Sequence, residues 1–258
     1  IYTGRICGAE ALARWIKSKN SIELPNMFIP YCEKSGFIKE IDKTIFKQTC
    51  AFLHERLKAG KPVVPISSNF SRLHAQNPNF SDYIYSITEK YEIPTNLIEI
   101  ELTETIAFEH KDAVFKNFTK LREKGFIVAI DDFGSGYSSL SILEQLNIDV
   151  IKMDQSFLCE KVIGLREFEV LSSMIALAKK LGLTVICEGV ETPEHVLSLD
   201  EAGCEIAQGF FYSRAISKEK FGLELDAKNT DANSKETVKH LKKSFMLSFV
   251  EELQVVEN

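Results

Sequence analysis

From Val63 to Gln208 the chain alternates short apolar runs with longer segments whose apolar residues recur at helical spacing. The short runs are Val63 to Asn69, Leu97 to Glu104, Ile127 to Asp132, Ile148 to Asp154, Leu183 to Thr192 and Cys204 to Gly209. Their length and β-branched content predict strands. Ile6 to Glu10, after the turn signal Thr3-Gly4, reads as a seventh strand, the second half of a hairpin whose partner would precede it. Helices are predicted over Pro25 to Ser35, Asp42 to Ala59, Ser81 to Tyr91, Asp112 to Lys124, Leu140 to Leu146 and Leu165 to Leu181. A last one opens at Pro193 and stops near Gly203. Gly60, Gly125 and Gly182 stand where left-handed residues end helices.

Strand, helix, strand in strict succession predicts a parallel α/β fold. Each of the seven predicted strands carries a polar residue at or near its C-terminal end: Glu10, Asn69, Glu101, Asp131, Lys152, Glu188 and Gln208. From Asn69 onward these positions are 20 to 36 residues apart, one βα unit each. Only a (β/α)₈-type barrel brings all seven strand ends to one mouth. In Leu97 to Glu104, Ile98, Ile100 and Leu102 share one face and Glu99 and Glu101 the other. A glutamate facing the interior near a strand's C-terminal end needs a chemical reason.

Composition narrows the possibilities. The chain has 258 residues and a net charge of -6. That balance argues against a nucleic-acid polymer as partner. No apolar run reaches membrane-spanning length, and no leader pattern opens the sequence. Cys7, Cys32, Cys50, Cys159, Cys187 and Cys204 form no Cys-x-x-Cys pair, and most lie in apolar runs. They read as reduced core thiols of a cytoplasmic protein. His54, His74, His110, His195 and His240 fall outside the strand-end set and read as surface or helix residues. Residues 226–236 are polar and read as a linker. Beyond them Leu241, Phe245, Phe249, Val250 and Leu253 fall largely on one helical face. The tail is therefore expected to be an amphipathic helix, with the barrel occupying residues 1–225.

The most informative stretch is Ile127 to Leu140, an apolar run ending in Asp131-Asp132 and followed by the loop Phe133-Gly134-Ser135-Gly136. Adjacent carboxylates at a strand end repel unless a cation neutralises them. Glu10, Asn69, Glu101, Asp131 and Asp132 supply the oxygen ligands that Mg²⁺-like ions take. Two such ions about 3.5–4 Å apart activate water and clamp a phosphoryl group in an in-line displacement. Lys152 could orient or deprotonate that water, and Arg14 suits a phosphate oxygen. Each residue alone has an ordinary reading as a helix cap, a solvated acid or a snorkelling lysine. Seven such readings at seven ordered strand ends do not hold together.

Glu10-Ala11-Leu12 with Arg14-Trp15, Asn69-Phe70-Ser71, Glu101-Leu102-Thr103-Glu104, Asp131-Asp132-Phe133-Gly134, Lys152-Met153-Asp154, Glu188-Gly189-Val190-Glu191-Thr192 and Gln208-Gly209-Phe210 resemble the EAL domain of bacterial cyclic-di-GMP phosphodiesterases. The resemblance covers about residues 4 to 217. It implies a modified TIM barrel whose first strand runs antiparallel, and opening of cyclic di-GMP to linear 5′-pGpG with two Mg²⁺ or Mn²⁺ ions and inhibition by Ca²⁺. It implies Glu10, Asn69, Glu101 and Asp131 as ligands of one ion, with Asp131 bridging to a second at Asp132. Lys152 corresponds to the lysine on the nucleophilic water, and Glu188 and Gln208 to residues supporting the ions and that water, Gln208 on the substrate side. Glu104 corresponds to the brace of the loop Asp132 to Ser139, Glu191 to a supporting residue, and Leu12 and Arg14 to substrate contacts.

The family's antiparallel strand with its Tyr-Gln-Pro segment is absent from this chain; Ser135 and Ala215 stand where threonine and proline are usual. The resemblance further implies a homodimer and a parent protein with a sensor or cyclase domain upstream. Two other functions compete. A cyclic-di-GMP receptor or scaffold without catalysis predicts a broken acidic set. A glycosidase with paired carboxylates explains neither Lys152 nor the double aspartate.

Overall fold

The structure is a computed structural model that describes residues 5–18, 21–109, 111–135, 143, 146–158, 163–229 and 244–254. In chain order its elements are β1 (Ile6–Ser18), β2 (Ser21–Glu23), α1 (Pro25–Ser35), α2 (Ile38–Lys58), β3 (Ile66–Asn69), α3 (Arg72–Ala75), α4 (Phe80–Lys90) and β4 (Ile98–Thr103). Then come α5 (Glu104–Glu109), α6 (Lys111–Glu123), β5 (Ile127–Phe133), β6 (Val150–Met153), α7 (Leu165–Lys180), β7 (Thr184–Cys187), α8 (Pro193–Glu201) and β8 (Ile206–Gln208). The chain goes on through β9 (Ile216–Ser217) and α9 (Lys218–Lys228) to β10 (Ser244–Gln254).

Eight strands close a barrel in the order β1-β3-β4-β5-β6-β7-β8-β10, with β10 pairing back onto β1. Every pairing around this ring is parallel. The short β2 is antiparallel to the far end of β1. The (β/α)₈-type barrel read from the alternation is the fold.

Side-chain alternation builds two cores. On β4, Ile98, Ile100 and Leu102 face the helices and are fully buried there. They belong to the same outer core as Ile41, Ile45, Phe46, Phe52 and Leu53 of α2, spaced to share one helical stripe. Inside the barrel a separate small cluster of Ala129, Val150, Ile186 and Met246 fills the floor. Two residues further along each of those strands stand Asp131, Lys152, Glu188 and Ser248. The period of two thus places an apolar layer beneath a polar one.

Three expectations are corrected. Glu10 does not end its strand: β1 runs on to Ser18 because Ala11 to Ile16 pair with β10, and Trp15 and Ile16 also pair with β2. The tail is not a helix over residues 244–254 but the eighth stave, placed where the antiparallel first strand was expected and running parallel instead. Residues 245–250 are apolar or small at every position, a run that helix and strand templates both fit. Strand pairing prevails because β1 and β8 would otherwise each expose a row of backbone groups. Finally, the boundary at 225 falls inside α9, which takes up the first residues of the expected linker. Residues 230–243 and most of the helix expected at Leu140 to Leu146 lie outside the described residues.

One buried acid links fold stability to pH. Burial against the loop after β3 pushes the Asp42 carboxyl from its ordinary 3.8 up to about 7, although the Ser71 N–H donates to it at 2.9 Å. The neighbouring His74, 3.5 Å away, is itself held below its usual value by burial and offers no compensating charge at neutral pH. A carboxyl whose folded pKa is raised binds more protons in the folded state. Its destabilising effect therefore grows as pH rises from about 4 to about 7 and is constant above. Asp42→Asn keeps an acceptor for Ser71 and removes the charge. It is expected to unfold on the order of 2 kcal/mol later than the parent at pH 8, with the gap closing toward pH 5. Denaturant melts at the two pH values check this; a gap that is equal at both would refute it.

Candidate active site

The strand ends do converge. Lys152 on β6 is fully buried, with its Nζ 2.7 Å from Glu188 Oε1, 3.2 Å from Glu101 Oε1, 3.3 Å from Asp131 Oδ1 and 3.5 Å from Glu10 Oε2. One ammonium thus faces four carboxylates from four strands or strand ends. Burial alone would lower the pKa of Lys152; the surrounding carboxylates reverse that and hold it well above the usual lysine range. The carboxylates share the strain unequally. Burial pushes Glu101 well up, with Lys152 opposing and Glu10 and Asp131 adding to the rise. Burial likewise lifts Glu188 and Glu99 to about 7 and, with Asp131 beside it, Asp132 to about 6. Glu10 goes the other way: burial works to raise it, but Lys152 and hydrogen bonds from Gln208 and Asn69 leave it below the usual carboxylate range.

Those hydrogen bonds fix Glu10 from both sides. Asn69 Nδ2 donates to its Oε1 at 2.8 Å and Gln208 Nε2 to its Oε2 at 2.7 Å. Gln208, expected on the substrate side, therefore turns its amide inward. Beyond the Lys152 ammonium 3.2 Å from its Oε1, the fully buried Glu101 receives no aligned hydrogen bond on either oxygen among the described residues. Buried carboxylate oxygens of that kind call for a cation. Ligand oxygens of Glu10, Glu101 and Asp131 come within 4.8 Å of one another, as do those of Asp131, Asp132 and Glu188. The two groups share Asp131, and each has the ligand spacing of a cation site.

Asp132 stands at φ 54, an uncommon left-handed position for a residue with a side chain. Its N–H donates to Asp131 Oδ1 at 2.9 Å, so the backbone of one aspartate holds the carboxylate of the other. The following loop is tied down by Glu104 at the start of α5, whose Oε2 accepts from the Gly134 N–H at 3.0 Å. Gly134, at φ 96, lies against the Phe157 ring where a Cβ would collide. The brace role expected for Glu104 thus has its geometry; residues 136–139 of that loop lie outside the described residues.

The remaining expected residues sit at the margin. Leu12 and Arg14 lie two and four positions beyond Glu10 on the same side of β1, both half-buried. Arg14 donates to the Ala13 carbonyl at 2.8 Å. Glu191 is exposed, and its backbone N–H donates to His195 Nδ1 at 3.3 Å. His195 and His74 are buried rather than on the surface. Two residues carried no expected role. Glu99 shares Glu101's face one layer deeper, a placement already visible in the alternation of β4. Ser248, at 3.1 Å from Gln208 Nε2, was hidden by reading the tail as helix; the unbroken run Phe245 to Val250 was the signal for a strand.

Replacing Lys152 by Met leaves the carboxylates with no cation of their own. In EDTA at pH 8 the variant is expected to lose about 3 kcal/mol of stability, as when one partner of a buried ion pair is removed. Mn²⁺ should then raise its unfolding temperature more than the parent's. Thermal melts with and without Mn²⁺ test this; no Mn²⁺ response in either protein would contradict a cation-binding carboxylate set, and an equal rise in both would contradict competition between Lys152 and the ion.

The architecture is shared with known proteins. The EAL domain family model matches residues 1–215. The oxygen sensor protein DosP of Escherichia coli is 33% identical over 218 residues, covering 84% of this chain and 27% of its own length. Cyclic di-GMP phosphodiesterase NbdA of Pseudomonas aeruginosa is 32% identical over 213 residues, covering 83% and 27%. The chain thus spans about a quarter of the length of these curated relatives. Among solved structures, the PaMucR phosphodiesterase in complex with c-di-GMP superposes with a TM-score of 0.77 at 29% identity, covering 83% of this chain and 87% of that one. No helix among the described residues is long and apolar enough to cross a membrane. With the family model matched across the whole barrel up to β8, the chain belongs to the EAL domain family.

Proposed function

We propose that this chain hydrolyses cyclic di-GMP to linear 5′-pGpG in a reaction that depends on Mg²⁺ or Mn²⁺. The observation that carries the proposal is the fully buried Lys152 ammonium shared among Glu10, Glu101, Asp131 and Glu188, one protein cation facing four carboxylates. A receptor that only bound the dinucleotide would have no use for so costly an arrangement. The names of NbdA and of the PaMucR complex supply the substrate class.

In this reading Glu10, Asn69, Glu101 and Asp131 hold one divalent ion, and Asp131 with Asp132 holds a second. Ions bound in this way make water a nucleophile at neutral pH and neutralise the phosphoryl oxygens. The protein's own groups do the rest. Asn69 and Gln208 keep both Glu10 oxygens in place. Glu188 Oε1 anchors the Lys152 ammonium, whose donors orient the attacking water and resist its displacement. Arg14, four residues past Glu10 on the rim side of β1, offers its forked donors to a phosphate oxygen of the substrate, and Leu12 offers an apolar contact beside it. Glu104 keeps the loop after Asp132 folded back toward the site.

Chromatography of cyclic di-GMP incubated with the chain and Mn²⁺ or Mg²⁺ is expected to yield pGpG. Glu10→Ala should cut turnover by more than about 100-fold, beyond what losing an outer partner of a metal ligand costs. Ca²⁺ in place of Mg²⁺ should suppress it, because Ca²⁺ prefers longer bonds and more ligands. Tight binding without product would make the chain a receptor.

A further inference from the structure

The eighth stave reaches the candidate site through one side chain. Gln208 has a single amide nitrogen with two protons. Its Nε2 donates to Glu10 Oε2 at 2.7 Å and to Ser248 Oγ at 3.1 Å. Ser248 lies directly opposite Glu10 in the β1–β10 ladder. The residues around it fix its direction. Met246 is buried in the barrel floor with Ala129, Val150 and Ile186, and sits so close to Gly8 that a Cβ there would lie 3.2 Å from its Cε. Leu247 is buried in the outer core between staves and helices. Ser248 therefore returns to the interior, one layer above Met246.

We propose that Ser248 is a positioning residue of this active site, and that the C-terminal strand is thereby part of its ligand-holding apparatus. The Ser248 hydroxyl oxygen accepts one amide proton of Gln208 and so aims the other at Glu10. An amide held at one proton only can rotate; one held at both cannot. Gln208 Oε1, which receives no hydrogen bond among the described residues, is fixed by the same constraint. The role assigned to Ser248 rests on the phosphodiesterase reading for its meaning, but not for its geometry.

Two measurements on the full chain test this without substrate. Hydrogen exchange should find the amides of residues 244–254 protected to the same degree as those of β3; fast exchange across that strand would remove it from the barrel and overturn the proposal. Calorimetric titration with Mn²⁺ should show Ser248→Ala binding about 10-fold more weakly, the low end of what outer partners of metal ligands contribute. Its unfolding temperature in EDTA should stay within about 2 °C of the parent's, and Ser248→Thr, which keeps the hydroxyl, should recover most of the affinity. Unchanged Mn²⁺ affinity in Ser248→Ala refutes the role. Equal losses in Ala and Thr variants with lowered unfolding temperatures refute it too, by reducing Ser248 to packing. A serine-dependent Mn²⁺ affinity in a chain that leaves cyclic di-GMP intact would sustain this inference and sink the phosphodiesterase reading alone.

Discussion

A fully buried ammonium held against four carboxylates is the constraint that the rest of this structure serves. Removing such charges from water costs several kcal/mol per ion, and one lysine cannot compensate four acids. The fold tolerates the imbalance only because neighbours distribute it. Gln208 and Asn69 stabilise the charge on Glu10, Glu188 draws Lys152 closest, and burial pushes Glu101 toward its neutral form. Such a set is poor as a stabilising core and well suited to receiving divalent cations.

A barrel is the means of bringing those charges together. Glu10 and Gln208 are nearly two hundred positions apart in sequence, yet they meet at 2.7 Å because both ends of the strand order close on β10. The apolar floor of Ala129, Val150, Ile186 and Met246 keeps water from the underside of the charged layer. Helices on the outside bury Ile98, Ile100 and Leu102, so β4 can commit its other face to Glu99 and Glu101. The left-handed backbone at Asp132 lets its N–H reach Asp131 Oδ1, and Glu104 ties the loop that follows.

Much of this is legible in the amino-acid order. The alternation in Leu97 to Glu104 announces an inward glutamate, and the double aspartate after an apolar run announces a cation. Strand-end spacing then selects a barrel over an open sheet. What the sequence conceals has physical causes. Glu10 looks like a strand end because small and charged residues follow it, yet pairing on both sides extends β1 to Ser18. Phe245 and Phe249 fall four apart and mimic a helix stripe, while Met246 and Leu247 point to opposite cores. Only the unpaired edges of β1 and β8 decide between the two, and an edge is a property of the assembled sheet. His195 reads as a surface or helix residue; it lies on α8, where its Nδ1 accepts from the Glu191 backbone and its ring is buried.

The central claim is that one mouth, built from Glu10, Asn69, Glu101, Asp131 and Asp132 around Lys152, binds two neighbouring divalent cations. Electron paramagnetic resonance of Mn²⁺ titrated into the chain tests it most directly. The account predicts two ions per chain, magnetically coupled through the shared Asp131 and lost together in Asp131→Ala. One uncoupled ion, or binding that survives Asp131→Ala, would contradict it.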